Sequence, residues 1–234
     1  MISILLLGLL AGAAIPVGGF FAKIEAIHPA WLENEFRHFV IAIGGGALLS
    51  AVALVLVPHG MAHPSVLPVV LWFLAGSLAL MGLDIYLERS KLSASNLVAM
   101  LSDFLPEAIA LGATFGSSQG GGMLLALLIA MQNLPEGFNA YREMMSQKKL
   151  SSKAVLGSFI LLALLGPLCG ALGYWFLSDH DSLVAALSVF AAGGILYVVF
   201  GDIAPQAKLE RHWAPPLGAV LGFILGVVGQ MLLT

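Results

Sequence analysis

The chain has 234 residues, of which 59% are hydrophobic and only 10% are charged, with a mean hydropathy of +0.98. Soluble domains carry about 25% charged residues, so this composition predicts an all-α integral membrane protein. The formal net charge of −3 gives no reason to expect a nucleic-acid partner. The single cysteine, Cys169, excludes an internal disulfide framework and a cysteine metal cluster.

Apolar segments of spanning length predict eight transmembrane helices, because a spanning helix needs about 20 mainly apolar residues. Their predicted bounds are 2–21, 36–57, 66–87, 95–115, 121–142, 153–177, 182–203 and 214–233. The short loops between them favour one transmembrane domain over residues 1–234. The first segment lacks the basic n-region of a signal peptide and is interpreted as a retained helix, with cleavage near Ala11 to Ala13 as the alternative.

The basic residues predict the orientation in the membrane. All ten flank or lie in odd-numbered loops: Lys23, Arg37, Arg89, Lys91, Arg142, Lys148, Lys149, Lys153, Lys208 and Arg211. By the positive-inside rule, the odd-numbered loops are cytoplasmic and both termini lie outside. The short loops and the lack of a targeting segment favour a bacterial inner membrane.

The second and seventh segments contain an internal repeat. The stretch from Ile43 to Pro58 aligns with the stretch from Phe190 to Pro205. Matching pairs are Gly46 with Gly193, Leu49 with Leu196, and Val52 with Val199. Because the two helices run in opposite directions on the predicted topology, the repeat is inverted, as in many transporters. The alternative is a similarity of two glycine-rich helices by composition alone.

Two polar motifs interrupt the apolar fourth and fifth segments. They read Asp103-Phe104-Leu105-Pro106-Glu107 and Gln132-Asn133-Leu134-Pro135-Glu136. A carboxylate in hydrocarbon is expensive unless it has a partner or water. Each proline also removes a backbone hydrogen bond and frees a carbonyl one turn earlier. The sequence therefore predicts a cation site in the membrane.

The spacing of these motifs indicates which groups share a helix face. Residues four apart lie on one face, so Asp103 pairs with Glu107, and Gln132 pairs with Glu136. Together with Asn133 and the freed carbonyls, they form an oxygen-rich ligand set suited to a divalent cation. Two alternatives stay open: carboxyl groups that are protonated or hydrogen-bonded for helix packing, and a proton relay.

These motifs resemble those of the ZIP family of divalent-metal transporters. Gln132-Asn133-Leu134-Pro135-Glu136-Gly137 is similar to the fifth-helix motif of that family, and the segment from Val189 to Val199 is similar to its seventh helix. Asp202 stands where the family often has glutamate. The resemblance covers the whole chain and implies eight helices, outward termini and a metal site between helices 4 and 5.

The departures from the family pattern imply one metal ion rather than two. Asp103 stands at the usual histidine, Phe104 at the asparagine and Ala108 at the glycine. Gly166 stands where some members carry a bridging glutamate, and Ala47 where some relatives have methionine. Without the histidine, an all-oxygen site suits manganese, magnesium or ferrous iron better than an imidazole site does. We therefore expect weaker zinc selectivity than in typical relatives.

Further polar residues are candidates for the pathway. His59 and His63, four residues apart near the outer end of the second helix, are candidates for metal capture, with solvated interfacial residues as the alternative. Asp202 is assigned to the outer end of the seventh helix and the entrance pathway, or to a helix-end hydrogen bond. Asp84, near the inner end of the third helix, is assigned to metal release or to a pair with Arg89.

The sequence thus predicts a transporter of divalent cations, among zinc, manganese, iron, cobalt and cadmium, moving them inward by alternating access. The metal is the substrate, and neither a prosthetic group nor an enzymatic reaction is expected. The alternatives are a proton-coupled carrier of another small solute and a non-transporting metal sensor of the same fold. Expected partners are the metal ion and the lipid bilayer, and assembly as a homodimer is left open.

Overall fold

A computed structural model describes residues 1–25, 37–61, 65–90, 95–117, 119–146, 150–208 and 213–233, and these contain helices and no strand. Their bounds are as follows: α1 is Ile2–Glu25; α2 is Arg37–Ala51, continued by Val52–Leu56 and Val57–Gly60; α3 is Val66–Ser90; α4 is Ser95–Ser117; α5 is Gln119–Ser146; α6 is Ser152–Ala163 and Leu165–Leu177; α7 is Asp181–Val198, continued by Val199–Ile203 and Ala204–Ala207; and α8 is Ala214–Leu233.

Among the described residues, six helices are long and apolar enough to cross a membrane. These are α1, α2, α3, α6, α7 and α8. The other two, α4 and α5, are 23 and 28 residues long and carry the polar motifs. Both exceed the length of about 20 residues that a bilayer requires. A total of eight membrane crossings stays a prediction.

Helix α6 is interrupted at Leu164, although the sequence predicts one continuous helix over 153–177. Pro167 has no N–H to donate to the carbonyl of Ala163. The chain turns at Leu164, whose N–H bonds the carbonyl of Leu161 at 3.2 Å, and the helix resumes at Leu165. The proline explains the interruption.

Helices α2 and α7 each contain one π-helical turn, Val52–Leu56 and Val199–Ile203. The N–H of Val57 bonds the carbonyl of Val52, and the N–H of Ala204 bonds that of Val199. Pro58 and Pro205 lie two residues after the last residue of each π turn. Because proline cannot donate and crowds the carbonyl four residues earlier, the hydrogen bonds before it widen. The two π turns occupy aligned positions of the sequence repeat.

Glycines bring α2 against α8, and α7 against α3, in matching ways. Gly46 lies so close to the carbonyl of Ala219 in α8 that a Cβ would collide with it. Gly193, its aligned partner, lies equally close to the carbonyl of Phe73 in α3. The reciprocal contacts are Gly222 against the carbonyl of Ile43, and Gly76 against the carbonyl of Phe190. Small residues are what allow such close helix packing in membranes.

Close glycine contacts also join α1 to α5 and α4 to α6. Gly137 of α5 packs against the carbonyl of Ile15, and Gly173 of α6 packs against that of Ile109. Helices α1, α4, α5 and α6 thus form one group, and α2, α3, α7 and α8 form another. The main contacts between the groups join α2 to α5 and α4 to α7. The polar motifs of α4 and α5 therefore lie where the groups meet.

Candidate metal site

Helices α4 and α5 meet through a buried polar contact. Gln132 in α5 donates from Nε2 to Oε2 of Glu107 in α4, at 2.5 Å. Both side chains are 1% exposed. Burying a carboxylate in a bilayer-spanning protein requires a partner of this kind. The structure therefore brings together two of the residues that the sequence predicts as ligands, from two different helices.

Pro106 and Pro135 lie inside continuous helices, one residue before Glu107 and Glu136 respectively. Each proline leaves the carbonyl four residues earlier without its usual helical donor. The turn around Pro106 borders a cavity of about 20 Å³ lined by Ser102, Glu107 and residues of α7. Irregular backbone at membrane depth is tolerated where it lines a cavity, and both Pro106 and Pro135 line cavities.

A larger cavity of about 50 Å³ lies between the two helix groups. Its lining residues are Gln132, Pro135, Glu136 and Asn139 of α5; Met100 of α4; Ile41, Gly44, Gly45 and Leu48 of α2; and Val198, Asp202, Ile203 and Gln206 of α7. Since a cavity needs about 10–15 Å³ to hold one water, this one has room for a few waters or a partly hydrated cation.

Amide oxygens of the cavity are available as ligands. Oε1 of Gln132 and Oδ1 of Asn139 are buried, and neither has a hydrogen-bond partner among the described atoms. A buried oxygen without a donor is destabilising by about 1–3 kcal/mol. A cation, or water around a cation, would satisfy these oxygens. Both oxygens lie in the cavity wall beside Glu136.

A polar chain leads from this cavity to the end of α7. Asn139 donates from Nδ2 to Oε1 of Gln206 at 3.3 Å, and Gln206 donates from Nε2 to Oδ1 of Asp202 at 3.2 Å. Sequence reasoning missed Asn139 and Gln206. Their spacing was the available signal, since Asn139 lies three residues after Glu136 and Gln206 four residues after Asp202, on shared helix faces.

The predicted assignments of Asp202 to the outer end of α7 and of Asp84 to the inner end of α3 cannot both hold. Asp84 and Asp202 line one cavity of about 40 Å³, and Tyr197 donates its hydroxyl to Oδ2 of Asp84 at 3.0 Å. Because they share this cavity, both carboxylates lie at the same end of the bundle. Asp202 belongs to the last turns of α7, next to the loop that carries Lys208. On the orientation predicted from the basic residues, this end of the bundle is the inner one.

Asn133 faces helix α1 rather than the cavity. Its side chain is fully buried, and its Nδ2 donates to the carbonyl of Ala11 at 2.9 Å. Its Oδ1 is buried without a hydrogen-bond partner among the described atoms. Asn133 is absent from the lining of the cavity that holds Gln132 and Glu136. Adjacent residues on a helix point about 100° apart, which explains why the two amides diverge.

Phe104 and Gly166 lie side by side in the structure. Phe104 is fully buried, and a Cβ built on Gly166 would lie 3.0 Å from its ring atom Cζ. The same Cβ would collide with the backbone carbonyl of Gly8 in α1. The aromatic ring and the close approach of α1 therefore leave no room for a ligand side chain at position 166.

The structure describes only some of the remaining candidate residues. His63 lies outside the residues that the structure describes. Asp103 lies in α4, but its side chain is outside the described part. His59 is partly buried in the last turn of α2, where Asp181 is near enough to interact with it electrostatically. Among the described residues, no three His, Cys, Asp or Glu side chains are grouped to hold a metal; the candidate set also uses amide oxygens.

Residues 86–234 match the sequence model of a family described as ZIP Zinc transporter. The match covers more than half of the chain and includes both polar motifs of α4 and α5. No curated protein matches the chain.

Proposed function

The chain belongs to the ZIP zinc transporter family, and on this premise we propose that it carries a divalent cation into the cytoplasm by alternating access. Membership places it among integral membrane transporters of divalent metals. The observation that carries the proposal is the contact of Glu107 with Gln132 beside a cavity lined by Glu136. Two helices thereby present carboxylate and amide oxygens to one place.

The proposed ligands are Glu107, Gln132 and Glu136, with Asp103 as the fourth. In the present arrangement Gln132 donates an N–H to Glu107. A cation bound between them would attract Oε1 instead, so the amide would turn over as the metal enters. One ion is proposed because Phe104 and the backbone of Gly8 exclude a side chain from position 166. An all-oxygen set accepts manganese and ferrous iron as well as zinc.

The proposed release path follows the polar chain from the cavity to Asp202. Gln206 and Asn139 line it, and Asp84 lies beside its end. Negative charge at this end lowers the energy of a cation that leaves the central ligands. On the topology proposed from the basic loops, with eight crossings and both termini outside, this end faces the cytoplasm.

The proposed movement is a displacement of α1, α4, α5 and α6 against the other four helices. Glycine contacts hold each group together internally. The cavity and the central ligands lie at the boundary between the groups. The aligned π turns and glycine contacts of α2 and α7 support an inverted repeat, and such repeats place substrate sites at the repeat interface in transporters.

Metal uptake into proteoliposomes tests this proposal directly. Purified protein would be assayed with zinc, manganese, ferrous iron, cobalt and cadmium. The double variant Glu107→Ala/Glu136→Ala is expected to abolish uptake. The matched control is Glu88→Ala, which removes an exposed carboxylate at the end of α3. This variant is expected to retain metal uptake.

Two results would contradict the proposal. Proton flux that needs Glu107 and Glu136, with no metal uptake, would favour a proton-coupled carrier of another solute. Metal binding by folded protein without uptake of any ion would favour a sensor of the same fold.

A further inference from the structure

We infer that Met100 and Asn139 form a further cation position on the release path, where the thioether sulfur of Met100 and the amide oxygen of Asn139 favour a soft divalent cation such as cadmium. The inference rests on the proposed transport function, whose central ligands are all oxygens. It starts from the wall of the cavity of about 50 Å³ between the helix groups. Among the described residues that line this cavity, Met100 is the one that contains sulfur.

Met100 and Asn139 lie at one level of the bundle. Helices α4 and α5 are consecutive, packed against each other and antiparallel, and the contact of Glu107 with Gln132 fixes their register. Seven residues from that contact, towards the start of α4 and the end of α5, lie Met100 and Asn139, at a distance of about 10 Å along the helix axes. Residues seven apart lie on one helix face, and both residues line the same cavity.

The sulfur and the amide oxygen are both buried and both suited to accept a cation. Met100 is 2% exposed, and a thioether is a weak acceptor with no hydrogen to donate. Asn139 donates from Nδ2 to Gln206, which leaves its Oδ1 as the acceptor. That oxygen is buried without a hydrogen-bond partner among the described atoms. Glu136, one helical turn before Asn139, lines the same cavity. The position therefore offers a sulfur, an amide oxygen and a carboxylate.

This donor set is softer than the central one. Thioethers bind soft cations, whereas carboxylate and amide oxygens suit hard ones such as manganese and magnesium. The α2 side of the cavity is apolar, and its residues are Ile41, Gly44, Gly45 and Leu48. Because magnesium gives up its waters reluctantly, a small and partly apolar cavity disfavours it. Cadmium, the softest of the proposed cations, gains most from the sulfur.

The central position and this one hold a single cation in turn. Two divalent cations about 10 Å apart in a low-dielectric interior would repel each other strongly. A cation that leaves Glu107 can keep Glu136 as a ligand while it gains the sulfur and the amide oxygen. The release path thereby adds a preference for cadmium over manganese that the oxygen ligands of the centre do not supply.

Competition between cations tests the role of Met100. Met100→Leu removes the sulfur and conserves the volume, a change that packed cores tolerate well. We expect the cadmium concentration that halves manganese uptake to rise about tenfold, and the KM for manganese to change by less than about twofold. Met131→Leu is the matched control, because Met131 packs against the same hydrophobic core and is absent from the cavity lining. It should change neither quantity. Equal changes for the two cations in Met100→Leu would overturn the inference and make Met100 a packing residue.

X-ray absorption at the cadmium edge identifies the ligand without relying on transport. In a Cys169→Ser background, which removes the single cysteine, protein loaded with one equivalent of cadmium should show a sulfur neighbour. This neighbour should be lost in Met100→Leu and kept in Met131→Leu. A shell of oxygen and nitrogen alone in the Cys169→Ser protein would overturn the inference, whether or not the protein transports metal. If no cation is taken up although the sulfur neighbour depends on Met100, the proposed transport function fails and the ligand assignment stands.

Discussion

At the scale of single residues, the contact between Glu107 and Gln132 matters both for cation binding and for the stability of the fold. A carboxylate that is 1% exposed has lost its hydration, and this desolvation is costly in a low-dielectric interior even when the group is hydrogen-bonded. Such a residue is expected where a cation is bound for part of the working cycle. A variant that carries a neutral amide of the same shape at this position should therefore fold stably but transport metal poorly.

Glu107→Gln tests this expectation. We expect metal uptake to fall at least tenfold, because the charge that attracts the cation is lost. The melting temperature should be unchanged or raised, since a buried charge is removed while the shape is kept. Uptake in proteoliposomes and thermal unfolding in detergent are the measurements, with Glu88→Gln as the exposed control. A variant that unfolds would show that Glu107 is a packing residue.

The sequence predicted some residues of the site better than others. Spacing paired Gln132 with Glu136 correctly, because residues four apart share a helix face. It could not show that Asn133 bonds α1, since the neighbours of each face depend on which helices pack together. It also missed Gln206, whose role depends on a contact with Asn139 more than sixty residues away.

At the scale of helices, apolar length and proline positions predicted the existence of each element but not its internal geometry. Pro58, Pro167 and Pro205 were visible in the sequence. Their effects differ nonetheless: Pro167 ends one helical segment, whereas the other two follow π turns. The outcome depends on which neighbouring backbone packs against the widened turn, and periodicity carries no such information.

Glycine contacts of α2 lead to a prediction at this scale. Gly46→Ala places a Cβ onto the carbonyl of Ala219, so α2 and α8 must separate. We expect a destabilisation of about 1–3 kcal/mol, typical of overpacking, measured as a lower unfolding temperature. Gly82→Ala is the matched control, because nothing lies within 4 Å of its Cβ, and alanine favours helix by about 1 kcal/mol. Equal melting temperatures for the two variants would show that the α2–α8 approach is looser than described.

At the scale of the whole molecule, the division into two helix groups determines which contacts must break during transport. Asn139 of α5 and Gln206 of α7 contact each other across the boundary at 3.3 Å. Tyr141 of α5 and Ser152 of α6 contact each other at 2.9 Å within one group. A movement of one group against the other changes the first distance and preserves the second.

Cross-linking separates these two kinds of contact. The experiment uses a Cys169→Ser background, which removes the single native cysteine. In it, a short bifunctional thiol reagent would join Asn139→Cys to Gln206→Cys, or Tyr141→Cys to Ser152→Cys. We expect the first cross-link to reduce the metal uptake of the double variant at least tenfold, with recovery when the link is cleaved by reductant. The second should leave uptake of its variant within about twofold. Uptake unaffected by the first link would mean that the groups stay fixed and that the cation passes between them by side-chain motion alone, because a covalent link between α5 and α7 is incompatible with their displacement.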